Sequence, residues 1–459
     1  MPAEMPVLAL CLAVALLGLA PSTASAQPLT CGQVITKDTT LHADLGPCPG
    51  DGLVIDAPNV TVDLNGHAIV GDDRGDAFHG DVGIRNGAGH DRTVIEHGEI
   101  RSFFTSIKLK GADDSRVSDI TETEANGCCN GASVKVLQTR RAQIENNDLY
   151  REGDGSAFVV SGSRNSVQKN VGHAAGNGTG FLVSGSHNSI AHNAASGFDG
   201  MRIKGSENRV THNHVYAYNG DFAVAGARNV IAANSVDVFG PAKISGPGNV
   251  VRKNVVQGEG GLDMFKCRNV RVEGNVFRST DLVTLTGCQS ARVEDNAVRR
   301  GTFGIELVGG SGNLIDGNTF SDTNGGIEVV DSSGNSISQN TISNTYSGKG
   351  GIAVQGGSNN SIEQNTTSET NASSGIFVTG GSVGTIVRGN LVTQAGFSTG
   401  GGDNDDGIHV EDPGTLIADN RANDNFDYGI QAVPGVIDGG GNTVSGNGNP
   451  LQCLNVVCN

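Results

Sequence analysis

Sixteen positions, each the middle residue of a short Gly-Ile-x-Val-like segment, run Arg85, Lys108, Lys135, Val159, Leu182, Arg202, Ala223, Lys243, Asp263, Thr284, Glu306, Glu328, Ala353, Phe377, His409 and Gln431. Strand alternation turns such middle residues outward. Cations dominate as far as Lys243, and carboxylates follow. Arg85, Lys108 and Lys135 would hold the negative groups of a long acidic glycan. Arg202, Lys243, Asp263 and Glu306, at the junction of the two charge signs, are placed for acid/base work. A hydrolase would instead draw two carboxylates from Asp263, Glu306 and Glu328. A solvated face carrying charges never used in binding would show the same pattern.

Two further groupings carry reactive side chains. His173, His187, His192, His212 and His214 cluster in sequence, and His192 and His212 share one repeat position, flanked in that column by Lys169 and Lys253. Histidines on adjacent coils could bind a metal or form an acid/base pair, and His212 is a candidate substrate contact. Polar decoration of a flat sheet is the plain alternative. The stretch Gly402-Asp-Asn-Asp-Asp-Gly-Ile-His-Val-Glu-Asp412 crowds Asp403, Asp405, Asp406, Glu411 and Asp412 together. Hard oxygen ligands with glycines to bend the chain suit Ca2+, although the spacing is not that of an EF-hand. An acidic surface loop would read the same way.

The elements that must position these residues follow a repeat. Asn165-Ser-Val-Gln-Lys-Asn170, Asn188-Ser-Ile-Ala-His-Asn193 and Asn208-Arg-Val-Thr-His-Asn213 open a series that continues to Asn360-Ser-Ile-Glu-Gln-Asn365. The closing asparagines step by 23, 20, 21, 20 and 21 residues from Asn170 to Asn275. A fixed period of this size means a solenoid. Each unit holds a second strand ahead of its first asparagine, as in Gly180-Phe-Leu-Val and Gly326-Ile-Glu-Val. Corner asparagines tolerate left-handed backbone and can stack into hydrogen-bonded ladders. Leucine-rich repeats are excluded, since neither their leucine frame nor their helices are present. The spacing predicts an all-β, right-handed parallel β-helix of about sixteen coils over 74–440, with an N-terminal cap over 27–73 and a C-terminal cap over 441–459.

Composition agrees. Glycine numbers 69, tryptophan is absent and aromatics make up 4%, a poor recipe for one large globular core. The net charge of −17 disfavours nucleic acid, whose phosphates need a basic footprint. After Arg300 there are sixteen acidic residues and three basic ones (Lys349, Arg388, Arg421), which leaves 48 − 16 = 32 acidic and 31 − 3 = 28 basic before it. The first 26 residues read as a secretory signal with Ala24-Ser-Ala26 as the cleavage sequence. No later segment is apolar enough to span a bilayer, and the mature chain is expected to be secreted or periplasmic, and monomeric.

Eight cysteines remain after that signal, an even number suited to an oxidising compartment. Cys267 and Cys288 hold the same repeat position on adjacent coils, about 4.8 Å apart in a parallel stack and so within disulfide reach. Cys31–Cys48 and Cys453–Cys458 read as clasps on the terminal segments. The neighbours Cys128 and Cys129 form either a vicinal pair or two free thiols.

Gly-Ile-x-Val followed by Ser-Gly-Asn-x-Ile-x-x-Asn resembles the repeat of right-handed parallel β-helix proteins of the pectate-lyase-like superfamily, in particular the bacterial carbohydrate-binding and sugar-hydrolase domains. The resemblance covers nearly all of the mature chain and implies the fold; the repeat encodes the scaffold and not the site. It also implies β-elimination on a uronate polysaccharide, with Lys243 as base, Arg202 as carboxylate clamp and Asp263 as acid or metal ligand. Asp406-Gly-Ile-His409 is similar to the Asp-Pro-His motif of alginate epimerases, with the proline missing and one residue added. A non-catalytic glycan-binding or surface structural protein is the rival reading from another class. The periplasmic β-helix protein of nitrous oxide reductase maturation is a further relative of this kind, and the absence of Met/His/Cys clusters at copper-like spacing argues against that role.

Overall fold

Inward-facing Ile, Val, Leu and Phe at every second strand position force the chain to wind around its own apolar axis. The computed structural model describes residues 28–72, 80–123, 131–279, 282–346, 350–371, 373–396 and 405–459. The leader, Cys128 and Cys129 and Asp403 lie outside these residues. Every strand pairing among the described residues is parallel, and each coil contributes a strand to each of three faces. The first sheet stacks nineteen strands, from Gln33–Ile35 to Cys453–Leu454. The second and third sheets are joined where the long strands Val94–Arg101 and Arg116–Glu122 run from one into the other. Nineteen strands make eighteen turns, two more than the sequence count. The difference arises at the ends: residues 28–72, expected as a cap, wind in the same pattern, with Gln33–Ile35 paired to Leu53–Ile55 and Leu53 to Ile84. Among the described residues no helix is long and apolar enough to cross a membrane.

The core is a column of stacked equivalents. Ile107, Val134, Phe158, Phe181, Met201 and Phe222 follow one another in register, all buried. Each such side chain contributes roughly 1.5–3 kcal/mol by leaving water. Phe158 and Phe181 stack with centroids 4.5 Å apart. Gly172 makes room for them, because a Cβ there would come within 2.7 Å of Phe181.

The closing asparagines form a continuous internal ladder from Asn147 to Asn442. At each step the side-chain Oδ1 of one asparagine accepts the backbone N–H of its counterpart one coil below, as in Asn170 to Asn193 (3.0 Å) and Asn254 to Asn275 (2.9 Å). In most steps the Nδ2 group below donates to the same oxygen. The left-handed corner is not the asparagine itself, as the sequence suggested, but the residue before it. Lys169, His192, His212, Ala233 and Lys253 all have φ between 54° and 57°. The asparagine needs ordinary backbone because its amide faces inward to the ladder.

A second ladder at the opening asparagines runs through Asn165, Asn188, Asn208, Asn229 and Asn249, then lapses at Val270 and Ala291 before resuming at Asn313. The Cys267–Cys288 disulfide, Cα–Cα 4.5 Å, lies beside this gap. Cys31–Cys48 and Cys453–Cys458 are also bonded.

Candidate functional site

The first-sheet register places the sixteen outward residues from Arg85 to Gln431 in one column, in the order the sequence predicts. Near its centre the run Arg202, Ala223, Lys243, Asp263 spans three consecutive steps. Ala223 leaves a notch between two cations.

Two carboxylates that the sequence reading missed organise this centre. Lys243 Nζ donates to Asp221 Oδ1 at 2.9 Å and to Oδ2 at 2.8 Å. Arg202 Nε lies 2.9 Å from Asp199 Oδ2, and its Nη2 lies 3.9 Å from Asp221 Oδ2. Asp199 is 5% exposed, and its Oδ1 accepts the backbone N–H of Asp221 at 2.9 Å. Gly220 permits this approach, since a Cβ there would meet Asp199 Oδ1 at 2.2 Å. Both aspartates precede their strand's apolar segment, so a scan of middle positions passes them by. Burial pushes the Asp263 carboxyl above the usual range and the charge of Asp221 adds to this, against the opposing effects of Lys243 and a hydrogen bond with Thr284. The result is two anchored cations beside a carboxyl biased towards its protonated form.

The other sequence candidates fall in different places. Arg85 is tied to Asp51 through Nε (2.5 Å) and Nη2 (2.7 Å). Lys135 lies over the Phe104 ring at 5.4 Å, and burial, with Lys108 and Arg151 nearby, pulls its ammonium below the usual range. Lys108 has no ion-pair partner among the described residues. Glu306 and Glu328 are neighbours on adjacent coils, and Gln355 Nε2 donates to Glu328 Oε1 at 3.0 Å. His212 is on another face: it occupies the corner between the second and third sheets and stacks on His192 with centroids 4.9 Å apart.

The acidic stretch near 405–412 sets Asp406 and Glu411 on either side of His409, with Glu411 Oε1 3.7 Å from Nε2. Asp406 Oδ2 contacts His409 Nδ1 at 2.7 Å, and its Oδ1 accepts the Tyr428 N–H at 2.9 Å. Glu411 accepts from Thr379 Oγ1, while Asp412 accepts from the Gly381 and Ser382 amides at 2.9 and 2.8 Å. Asp405 is buried. His409 is 5% exposed, with Phe377 edge-on at 5.3 Å. Among the described residues, the group whose ligand atoms converge as a metal site would require is Asp63, Glu96 and His97, within 4.8 Å of one another. Asp63 and Glu96 face His97 Nδ1, and Asp119 lies on the other side of the ring, 3.9 Å from Nε2. One imidazole among carboxylates fits a first-row divalent ion better than Ca2+.

A family model described as the right-handed β-helix region matches residues 260–412, and the chain is a right-handed parallel β-helix protein, as its repeat implied. No curated protein matches the sequence. Among solved structures, the A-module of the Azotobacter vinelandii mannuronan C-5 epimerase AlgE4 is 14% identical with a TM-score of 0.26, over 89% of this chain and 91% of that one. A tailspike protein mutant of E. coli bacteriophage HK620 in complex with pentasaccharide is 11% identical with a TM-score of 0.28, over 93% and 74%. A PL6 alginate lyase in complex with trisaccharide is 12% identical with a TM-score of 0.25, over 93% and 83%. Scores this low transfer no chemistry to the present chain.

Proposed function

We propose that this is an exported β-helix protein that acts on an acidic polysaccharide laid along the first sheet, as a lyase on uronate-containing glycan. The observation that carries the reading is the run Arg202, Ala223, Lys243, Asp263, in which two anchored cations flank a notch and a carboxyl of raised pKa follows. Arg202 neutralises the uronate carboxylate, which acidifies the C–H beside it. Lys243, held in place by Asp221, is the base in its uncharged form. The C–H proton then moves to the Lys243 nitrogen and its electron pair forms the new double bond. The bond to the glycosidic oxygen breaks, and Asp263 protonates that oxygen. Three disulfides support export to an oxidising compartment.

A hydrolase is the second reading, favoured by Glu306 and Glu328, which stand directly opposite on neighbouring coils and offer the pair of carboxyl groups that glycoside hydrolysis uses. The test is a panel of pectate, alginate, hyaluronan and chondroitin. Ultraviolet absorbance from unsaturated ends supports the lyase, and reducing ends alone support the hydrolase. Retarded migration of the protein in a glycan gel without turnover marks a binding module. No product and no retardation with any of the four would remove the reading.

A further inference from the structure

We propose a second anion-binding site on the third sheet, in which Arg278, Arg299 and Arg300 take the carboxylate or sulfate groups of a short acidic oligosaccharide. The outward column of this sheet runs Tyr216, Asp237, Gln257, Arg278, Arg299 in strict register. An open cleft of about 760 Å³ lies over its upper part, lined by Asp237, Gln257, Arg278, Arg299, Arg300 and Ser321 among others.

Among the described residues none of the three guanidiniums has an acid partner. This sets them apart from Arg85, Arg202, Lys243, Arg141 and Arg228, each of which meets a carboxylate within 3 Å. The carboxylates in the cleft are engaged elsewhere: Asp237 Oδ2 accepts from Gln257 Nε2 at 3.2 Å, and Asp322 Oδ1 from Asn344 Nδ2 at 2.7 Å. Like charges directly opposite across a strand pair are destabilising, yet Arg278 and Arg299 face each other across about 4.8 Å. Two guanidinium forks at that spacing match an oxyanion bound from both sides.

The rest of the column points to a sugar. Tyr216 is 40% exposed, and two coils below it His173 stacks on Tyr150, itself 37% exposed, with centroids 4.7 Å apart. Exposed aromatic faces leading to a cationic cleft suit pyranose rings that carry an acidic group. From Tyr216 to Arg299 the column covers about 19 Å, the reach of a short oligomer. A longer polyanion such as nucleic acid would run on into a protein of net charge −17. The site rests on the proposed function for its ligand class alone and takes no part in turnover.

The experiment is isothermal titration of the full mature protein with a uronate tetrasaccharide, a heparin-derived tetrasaccharide, a neutral cellotetraose and a short single-stranded DNA. Each probe is titrated into wild type, Arg278→Gln/Arg299→Gln, Arg300→Gln and, as a control outside both sites, Arg141→Ala. At least one acidic sugar is expected to bind wild type and Arg141→Ala alike, to weaken with salt, and to lose roughly tenfold or more in affinity in the double arginine variant. Arg300→Gln is expected to show a smaller loss of the same sign. Unchanged affinity in both arginine variants overturns the site, as does equal binding of the neutral sugar or tighter binding of the DNA. If wild type degrades a uronate polymer but the arginine variants bind as wild type does, this site fails alone. If no acidic sugar binds and no polymer is cut, both readings fail together.

Discussion

The first and third sheets carry positive charge in opposite conditions. On the first, Arg85, Arg202 and Lys243 each rest against an aspartate; on the third, Arg278 and Arg299 face one another beside a cleft that Arg300 also lines. A paired cation is held still, at the cost of part of its attraction for a ligand. An unpaired one is a stronger anion trap but brings no neighbouring acid or base. The contrast suits the first sheet to proton transfer and the third to holding.

The sharpest way to break the contrast is Lys243→Ala. Turnover of a uronate glycan is expected to fall roughly 10²- to 10⁴-fold with the melting temperature unchanged, and a full rate would leave the first sheet as mere surface. Next comes a charge sealed inside. Burial raises Glu122 from 4.5 to about 7, against a hydrogen bond from Ser106 and the charge of Arg151. The folded state therefore holds this proton more tightly than the unfolded chain does. The contribution of Glu122 to stability is expected to be fully present below pH 4.5, to decline by about 3 kcal/mol as pH rises to 7, and to be level above that. Glu122→Gln should flatten this dependence and stabilise the protein at pH 8, as read by denaturant midpoints across pH. Asp263→Asn should lower turnover by about tenfold or more. In the proposed mechanism Asp263 acts protonated, and its pKa is raised, so the wild-type rate should fall as rising pH ionises it, and this alkaline limb should vanish in the variant. Smallest of all, Arg141→Ala breaks the exposed pair with Asp114 and should leave both the melting temperature and glycan turnover within error.

The scaffold was legible because its period is short and its spelling repeats. A count of asparagines sets the register, and the register alone brings Cys267 to Cys288 and aligns Arg85 through Gln431. What escaped the sequence lies off the repeated positions. Asp199 opens its strand and Asp221 just precedes its own, where corner lengths vary and no phrase marks the place. Arg278 and Arg299 follow a closing asparagine, in a strand whose outward column shares no motif from coil to coil. His212 shares a column with its histidine neighbour but points from a corner, away from the sheet that bears Arg85, Lys108 and Lys135. Spacing along the chain does not say which carboxylates converge: Asp406 and Glu411 meet at His409 while Asp412 turns to the Gly381 and Ser382 amides, and Asp63, Glu96 and Asp119 meet around His97 from three successive coils.

The closing asparagine ladder has an electrical consequence. From Asn147 upward every Oδ1 points back to the amide groups of the coil before it, so the side-chain carbonyl dipoles share one direction along the whole axis. Aligned amides polarise one another and leave partial charge at the ends of the stack, as peptide dipoles do in a helix. Here the positive end faces the C-terminal third, where sixteen acidic residues outnumber three basic ones. The stack that sets the pitch of the rod also gives it a polarity, and its surface charge follows that polarity.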